Sequence, residues 1–311
     1  MSENLYDRLL RAALAMTRQC WEQGMLSYAL MKCGEDALLG LVCRDMVARQ
    51  SADGRLCNVE NTPAVTDSAF CVPAVWALGG KDPSFRAAAL RNVDFLLNDA
   101  GRADDGTLFH MRGTGEIWAD SAAFLPYSLA ITGHGEAACR QMAGILERLY
   151  LPECGLYAHV WDERARAYPD RRPWGVGNGW ILTGLLRTAL TLEGAARADL
   201  LGRFRALLET MLARMTPEGG FHDDLVDPAT FLEAETAAMT ALCIRAGIDA
   251  GVLDAELLPA ARRIRRGVLE RVDAMGVIQG ASGSPRFDRP GASVECQAHA
   301  MMLERLFDWG E

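Results

Sequence analysis

The sequence predicts an all-α fold, a single (α/α)6 barrel of six helical hairpins that spans residues 1–311. Three observations favour this fold. Segments with one apolar stripe alternate with segments that are apolar almost all round, glycines cluster between these segments, and a degenerate repeat recurs at about one sixth of the chain length. Because half of the residues are hydrophobic, a chain of this length is able to bury a large core.

The apolar pattern divides the chain into twelve helical segments. Apolar residues spaced three and four apart, as in 135–150, are typical of a helix with one buried face. A segment that is apolar on all sides, such as 120–132, is typical of a fully buried helix. The segments lie near 5–18, 22–33, 35–50, 67–78, 83–97, 120–132, 135–150, 178–192, 196–215, 233–247, 255–274 and 295–309. Their alternation predicts six outer and six inner helices.

The repeat predicts how the hairpins are arranged. Each loop that enters a buried helix carries a glycine followed by an apolar residue, and the helix then opens with a polar side chain. The opening residues are Asp67, Asp120, Asn178, Glu235 and Glu295, in steps of 53, 58, 57 and 60 residues. We expect a closed double ring with the inner N-termini meeting at one rim. An open solenoid would need polar caps at both ends, whereas the last repeat ends in apolar and aromatic side chains.

Charge and cysteine content exclude several classes of protein. The chain carries 32 Lys and Arg against 41 Asp and Glu, a net charge of −9, so it lacks the basic field that nucleic-acid binding needs. No apolar run approaches the roughly 18 residues of a membrane helix, and no leader pattern precedes the first helix. The nine cysteines are scattered without a C-x-x-C pair, against a disulfide framework or zinc cluster. We expect a cytoplasmic monomer or homodimer.

Two aspartates are the candidate catalytic residues. Asp67 and Asp120 open buried helices in adjacent repeats, so in a ring they face one funnel. Helix capping is an alternative for each, because Asp is a preferred N-cap residue. Two carboxylates held close together raise one pKa and create a proton donor at neutral pH.

An aromatic and glycine-rich run predicts a carbohydrate site. Trp174 and Trp180 flank three glycines and Asn178; the glycines let the backbone approach a ligand, and indole faces stack on sugar rings. A plain turn capped by Asn178 is the alternative. His159 is placed to bind a ligand hydroxyl or carboxylate, or is a structural histidine. Since metal-binding, phosphate-binding and G-x-S-x-G motifs are missing from the sequence, we expect no metal and no cofactor.

These residues carry a resemblance that covers nearly the whole chain. It resides, in order, in Thr66-Asp67, Trp118-Ala119-Asp120-Ser121, His159-Val160-Trp161-Asp162-Glu163, Trp174-Gly175-Val176-Gly177-Asn178-Gly179-Trp180 and Glu235-Thr236. The sequence resembles the unsaturated glucuronyl and rhamnogalacturonyl hydrolases, glycoside hydrolase families 88 and 105. The W-G-x-G-N-G-W run and the H-x-W-D-E before it are the specific parts.

The resemblance implies a fold, a reaction and roles for residues. It implies an intracellular (α/α)6-barrel enzyme that removes the 4,5-unsaturated uronic acid left by polysaccharide lyases, by hydrating the vinyl ether double bond. The residue matching Asp120 protonates C4 and assists water attack at C5, and the residue matching Asp67 positions the sugar. His159, Trp174, Asn178 and Trp180 match positions that line the pocket. From the residues themselves, we expect the charge of Asp67 to keep a proton on Asp120.

The chain departs from the family pattern in two places. The family usually has arginine, which helps to hold the anionic substrate, where this chain has Val176. We expect the charge to come from another arginine on the loops before Asp120 and Asn178; the candidates are Arg112, Arg164, Arg171 and Arg172. The segment 294–299 carries Glu295 where the family tends to be glycine-rich and uncharged, which suggests an unusual sugar beyond the uronate.

Two other functions remain open from the sequence. One is an inverting glycosidase of the same barrel, with its acid and base drawn from Asp67, Asp120, Glu235 and Glu295; inversion needs carboxyl groups about 6.5–9.5 Å apart. The other is a carbohydrate-binding relative without turnover, suggested by Val176. For Glu235 and Glu295, catalysis, binding and capping all remain open.

Overall fold

The computed structural model describes residues 4–58 and 63–310, and over these residues it contains twelve α-helices. The mainly helical fold is therefore confirmed. The helices are α1 Leu5–Met16, α2 Cys20–Cys33, α3 Asp36–Ala48, α4 Val72–Leu78, α5 Pro83–Asp94, α6 Ser121–Ile131, α7 Gly135–Leu149, α8 Gly175–Ala189, α9 Gly194–Leu212, α10 Ala234–Asp249, α11 Leu258–Leu269 and α12 Val294–Arg305.

The even-numbered helices form an inner ring. A 3-10 turn, Asp67–Cys71, leads into α4 and packs against α2 and α6. Around the ring, α6 contacts α8, α8 contacts α10, α10 contacts α12, and α12 contacts α2, which closes it. The odd-numbered helices pack outside, each against an inner neighbour in sequence, except that α1 packs on α12. These contacts agree with six hairpins in a closed ring.

The inner helices approach closely because small residues stand at their contacts. A Cβ atom added to Gly184 of α8 would lie 1.9 Å from the Ala122 carbonyl oxygen of α6, far inside van der Waals contact. A Cβ atom on Gly24 of α2 would lie 2.5 Å from the Cβ of Phe70. Larger side chains at these two positions would force the ring apart, so glycine inside a helix is a packing requirement here despite its low helix propensity.

Helix boundaries differ from the expected ones in three informative places. The helix expected over 178–192 begins at Gly175, because the amide of Asn178 binds the Trp174 carbonyl and stabilises a glycine-rich first turn. The helix expected over 255–274 ends at Leu269, where the chain turns into a bridge between Val272 and Ile278. The expected segment 83–97 is α5 followed by a π-helical turn, Phe95–Asp99.

In the described part of the chain, nine short strands lie in the loops at the ends of the helices. They are β1 Glu116–Trp118, β2 Tyr150–Leu151, β3 Leu156–Tyr157, β4 Val160–Asp162, β5 Ala167–Asp170, β6 Phe221–His222, β7 Leu232–Glu233, β8 Ala281–Gly283 and β9 Arg286–Gly291. The sheet β1-β4-β5 joins the loop before α6 to the loop before α8. The antiparallel pair β8-β9 is not predicted, because residues 281–291 show no alternation of apolar and polar side chains.

Two further features bear on expectations from the sequence. All nine cysteines are free and seven are buried, as expected of small core residues. Within the described part of the chain, no helix is both long and apolar enough to cross a bilayer.

Candidate active site

A cavity of about 290 Å³ lies at the end of the ring where the inner helices begin. Each of the six inner segments contributes a side chain from its N-terminal end. These side chains are Trp21, Asp67, Asp120, Val176, Glu235 and Glu295. The predicted convergence of the inner N-termini on one rim is therefore what the structure shows. The cavity has four carboxyl groups, which come from four different segments.

Neither candidate aspartate caps a helix with its side chain. Asp120 occupies the N-cap position of α6, but its side chain accepts no capping hydrogen bond. Asp67 is the first residue of the 3-10 turn, which Thr66 precedes as N-cap. Capping, the alternative explanation for these residues, does not account for either carboxyl group. Both carboxyl groups line the cavity.

Asp67 is the more protonated of the two aspartates. Burial raises its pKa to about 6; the negative charges of Asp120 and Glu295 act in the same direction and His110 opposes them. The Nε2 atom of His110 lies 3.5 Å from Asp67 Oδ1. On the other side of the ring, the Nδ1 atom of His110 is 2.7 Å from the Thr66 hydroxyl, which fixes the imidazole in place.

Asp120 forms one end of a chain of charges. His159 Nε2 lies 3.5 Å from Asp120 Oδ2, and His159 Nδ1 lies 3.0 Å from Asp170 Oδ2. Burial lowers the pKa of His159, but the two carboxylates outweigh burial and raise it to about 9. For Asp120, burial raises the pKa of the carboxyl group. The hydrogen bond and charge of His159 outweigh burial and hold the pKa of Asp120 below its usual value. The expectation that Asp67 keeps a proton on Asp120 is therefore wrong, because a cationic His159 holds Asp120 ionised.

Aromatic rings enclose this chain of charges. Trp118 stacks on His110, with ring centroids 4.5 Å apart, and meets His159 edge-on at 5.4 Å. Trp174 lies 4.5 Å from His159, and Phe287 of β9 packs against both. The walls of the cavity therefore offer flat apolar faces on which a sugar ring is able to stack, and the few polar side chains between them are held in position by the aromatic rings.

The two predicted tryptophans, Trp174 and Trp180, line the cavity. The Trp174 N–H donates to Asp223 Oδ1 at 3.1 Å and to Ser282 Oγ at 2.9 Å, which leaves only the indole face for a ligand. Trp180 packs edge-on against Phe70.

Asn178 does not line the cavity. Its side-chain oxygen accepts from the Tyr157 backbone N–H at 2.9 Å, and its amide donates to the carbonyls of Tyr157 and Trp174. Each polar atom of the buried side chain is thus occupied by backbone. Asn178 joins the first turn of α8 to β3, and its effect on the site is to hold Trp174 in position.

The arginines expected to hold an anionic sugar are also engaged elsewhere. Arg112 binds Asp53, Arg164 donates to the Gly113 carbonyl, and Arg171 binds Glu153. Arg172 bridges Asp170, at 2.8 Å, and Asp223, at 3.5 Å, behind the wall of the cavity. None of the four lines the cavity, and among the described residues that do there is no lysine or arginine. The sequence placed these loops near the rim correctly but gave no information on side-chain direction.

Glu235 and Glu295 face the cavity and are not caps. Glu233 caps α10 by accepting from the Thr236 N–H, and Ser293 caps α12. Burial raises the pKa of Glu295 to about 7. Burial, and then the charges of Glu295 and Glu233, raise the pKa of Glu235 well above its usual value. Capping, one of the three roles that the sequence left open, is therefore filled by neighbouring residues.

The structure adds residues that the sequence did not single out as candidates for the site. Asp170 binds His159 at 3.0 Å, His110 lies 3.5 Å from Asp67, and Phe287 closes one wall. The position of Asp170, two residues before Arg172, is the one available signal, since acidic and basic neighbours in a loop often form an ion pair. Phe287 gives no signal, because only the fold brings the β8-β9 hairpin to the cavity.

Comparison with known proteins agrees with this architecture. The family model described as Glycosyl Hydrolase Family 88 matches residues 15–289, most of the chain. The chain belongs to glycosyl hydrolase family 88. Among curated proteins, this family 88 member is 24% identical over 172 residues to the unsaturated rhamnogalacturonyl hydrolase YesR of Bacillus subtilis. That match covers half of this chain and half of YesR.

Several solved structures have a similar fold. A possible member of family GH105 from Salmonella enterica superposes with a TM-score of 0.82 at 18% identity, covering 96% of this chain and 91% of that one. The unsaturated glucuronyl hydrolase of Bacillus sp. GL1 gives a TM-score of 0.71 at 18% identity, covering 93% and 87% of the two chains. At these identities the superpositions show that the family 88 chain shares their helical barrel.

Proposed function

We propose that the chain removes a 4,5-unsaturated uronic acid from oligosaccharides produced by polysaccharide lyases, by hydrating the vinyl ether double bond. Membership of family 88 supports the reaction class, as do the names of YesR and the Bacillus sp. GL1 enzyme. The observation that carries the proposal is the pair Asp67 and Asp120, which face one aromatic-walled cavity and cap no helix.

In the proposed reaction, Asp120 gives a proton to C4 of the double bond and water adds to C5. The resulting hemiketal opens and releases the remaining sugar. Asp120 takes the proton that the water loses, so one group acts as acid and then as base. Because His159 holds the pKa of Asp120 below its usual value, we infer that Asp120 receives its proton from His159, whose Nε2 lies 3.5 Å away and has no hydrogen-bond partner among the described residues.

The neighbouring groups have supporting roles in this proposal. Asp170, itself bound by Arg172, fixes the orientation of His159 and holds its proton in place between turnovers. Asp67, with a pKa raised to about 6, binds sugar hydroxyls as an acceptor at neutral pH and as a donor below it. Trp118 and Trp174 offer ring faces to the apolar side of the sugar.

We also propose a cytoplasmic location. Nine free cysteines without a disulfide favour a reducing compartment.

An absorbance assay tests the proposed activity. The conjugated double bond of an unsaturated uronide absorbs in the ultraviolet, and hydration removes the absorbance. We expect a fall with at least one of a panel of lyase-generated disaccharides, and none with Asp120→Asn. Saturated counterparts of the disaccharides are the control substrates. Cleavage of saturated disaccharides at comparable rates would refute hydration and indicate an inverting glycosidase; no change with any member of the panel would refute the activity.

A further inference from the structure

A second cavity lies at the end of the ring where the inner helices terminate, opposite the candidate active site. It has a volume of about 430 Å³, larger than the active-site cavity and within the range of roughly 300–1,000 Å³ that is typical of small-molecule sites. Side chains from the C-terminal halves of α2, α6, α8, α10 and α12 line it, among them Tyr28, Tyr127, Arg187, Leu242 and Met302. The proposed function makes no use of this second cavity, which we call the distal cavity.

Arg187 brings a positive charge into the distal cavity. It lies in the last turn of α8, and its guanidinium carbon is 4.6 Å from the ring centroid of Tyr28 and 4.4 Å from that of Phe124. Cation–π attraction to the two rings holds the guanidinium group in place and uses none of its N–H groups. The N–H donors of Arg187 therefore remain for other acceptors.

These N–H groups have no acceptor in the described part of the chain. No carboxylate there forms an ion pair with Arg187, and no oxygen there accepts a hydrogen bond from it. Nη1 is enclosed by protein, whereas Nε and Nη2 are not enclosed, and the side chain lines the distal cavity. Asp249, the one acid among the described lining residues, binds Arg245 instead. Because an N–H group taken out of water without an acceptor is unfavourable, an anion at Arg187 would relieve a cost that the fold leaves uncompensated.

A role in helix capping does not account for Arg187. Basic side chains near the end of a helix often bind its free carbonyl groups or interact with its dipole. Arg187 donates to no carbonyl of the described residues, and it packs against Phe124, a side chain with no exposed surface. Burial, and then the charge of Arg187, lowers the pKa of His299 inside the ring well below its usual value. The guanidinium group is thus directed into the ring, where its charge is not neutralised by a described side chain.

The other side chains of the distal cavity set the chemistry of the rest of the ligand. The hydroxyls of Thr183 and Thr191 already donate to backbone carbonyls. Lys32 is exposed and adds a second positive charge at the edge of the cavity, 5.4 Å from the ring centroid of Tyr28. Most of the remaining wall is aliphatic or aromatic, and it includes Leu186, Leu242, Ala246, Met302, Leu306 and Phe307. A ligand rich in hydroxyl groups would leave those groups unpaired against this wall, so the wall favours an apolar body.

We propose that the distal cavity binds a small organic carboxylate with an apolar body. The in-plane N–H groups of a guanidinium form a fork that matches the two oxygens of a carboxylate, and such charge-assisted pairs are strong. The oxygens accept from Arg187, and the body packs against the aliphatic wall. Inorganic phosphate fits the same fork but has no apolar part to bury, and a sugar acid has hydroxyl groups that the wall does not satisfy. Because two rings already hold Arg187, binding orders little of the protein.

Isothermal titration calorimetry of the whole chain with hexanoate tests the proposal, and hexanamide is the uncharged control ligand. We expect hexanoate to bind with a Kd of about 1 mM or less, and at least about tenfold more tightly than hexanamide, because its bond to the guanidinium group is charge-assisted. Glucuronate and inorganic phosphate should bind at least about tenfold more weakly than hexanoate. Binding of either as tightly as hexanoate, equal binding of hexanamide, or no binding of hexanoate at about 10 mM would overturn the proposal.

Substitutions test whether the ligand lies at Arg187. Arg187→Met has a side chain of similar length without N–H donors and should weaken hexanoate binding at least about tenfold. Arg140→Met is the matched control and should keep the wild-type Kd, because Arg140 lies exposed on the outer helix α7. Ala246→Leu narrows the cavity and leaves Arg187 in place, so it should also weaken hexanoate binding and provides the test if Arg187→Met does not fold. Wild-type affinity in either folded variant of the cavity would overturn the proposal.

The active-site cavity is the alternative location for hexanoate. Asp120→Asn removes a negative charge from that cavity, so a carboxylate bound there would bind more tightly to the variant than to the wild type. We expect Asp120→Asn to bind hexanoate with the wild-type Kd, to within about twofold. A larger change would place the ligand in the active-site cavity and overturn the proposal. These measurements need no substrate turnover, so their outcome is independent of the proposed function.

Discussion

Asp120→Asn is the most direct perturbation of the proposed mechanism. The amide has the same shape as the carboxyl group but neither donates an acidic proton nor takes one from water. General acid–base catalysis by a placed side chain is worth about 10²–10⁴ in rate, which corresponds to ~2.7 to ~5.4 kcal/mol of barrier. Since Asp120 performs both steps, we expect kcat to fall at the upper end of this range.

The structure predicts that this variant stays folded. Asp120 makes no capping hydrogen bond, so its replacement removes none from α6, and His159 keeps its ion pair with Asp170. The melting temperature should change by no more than a few degrees. Asp254→Asn is a matched control, because Asp254 is also an N-cap residue without a side-chain capping bond but lies exposed on the surface.

The assay is the loss of ultraviolet absorbance from an active disaccharide, with melting temperature and substrate binding measured in parallel. We expect Asp254→Asn to keep the wild-type rate and Asp120→Asn to bind substrate without hydrating it. If Asp120→Asn retained more than about a tenth of the wild-type rate, the loss would be only ~1.4 kcal/mol and Asp120 would not be the acid.

Three further predictions follow from the structure. The pKa of His159 is raised from 6.5 to about 9, so its ion pairs stabilise the fold fully below pH 6.5 and are lost as the pH rises through 9. The melting temperature should fall progressively from about pH 6 to pH 10, a total stability loss on the order of 3 kcal/mol, of which only about 1 kcal/mol is lost between pH 8 and 10. The value of kcat should fall as the pH rises through about 9, and His159→Gln should abolish the pH dependence of the melting temperature. Arg112→Ala and Arg171→Ala should each leave KM for the uronide within about twofold of the wild-type value in steady-state kinetics, because both side chains bind acidic residues outside the cavity. A tenfold rise in KM would contradict the position of these two arginines outside the cavity. Gly184→Val should lower the free energy of unfolding by ~1–3 kcal/mol or more, measured by urea titration, because the added carbons overlap α6. Equal urea midpoints for the variant and the wild type would contradict the close contact between α8 and α6.

The sequence by itself determined the helical barrel and the rim of the cavity. Helix number and alternation follow from apolar periodicity, which each segment carries locally. The polar residue that opens each inner helix also repeats along the chain, and this repeat places Asp67 and Asp120 at one rim. Both facts depend on spacing along the chain, and spacing is what a sequence records directly.

Only the tertiary structure decided where the protons and charges lie. His159 was a candidate for binding sugar, yet it lies between Asp120 and Asp170 and holds the pKa of Asp120 below its usual value. Arg172 and Asn178 lie on the expected loops but point into the scaffold. A pKa and a side-chain direction depend on distances of 3 to 4 Å between residues far apart in the chain, and on burial, which local patterns do not specify.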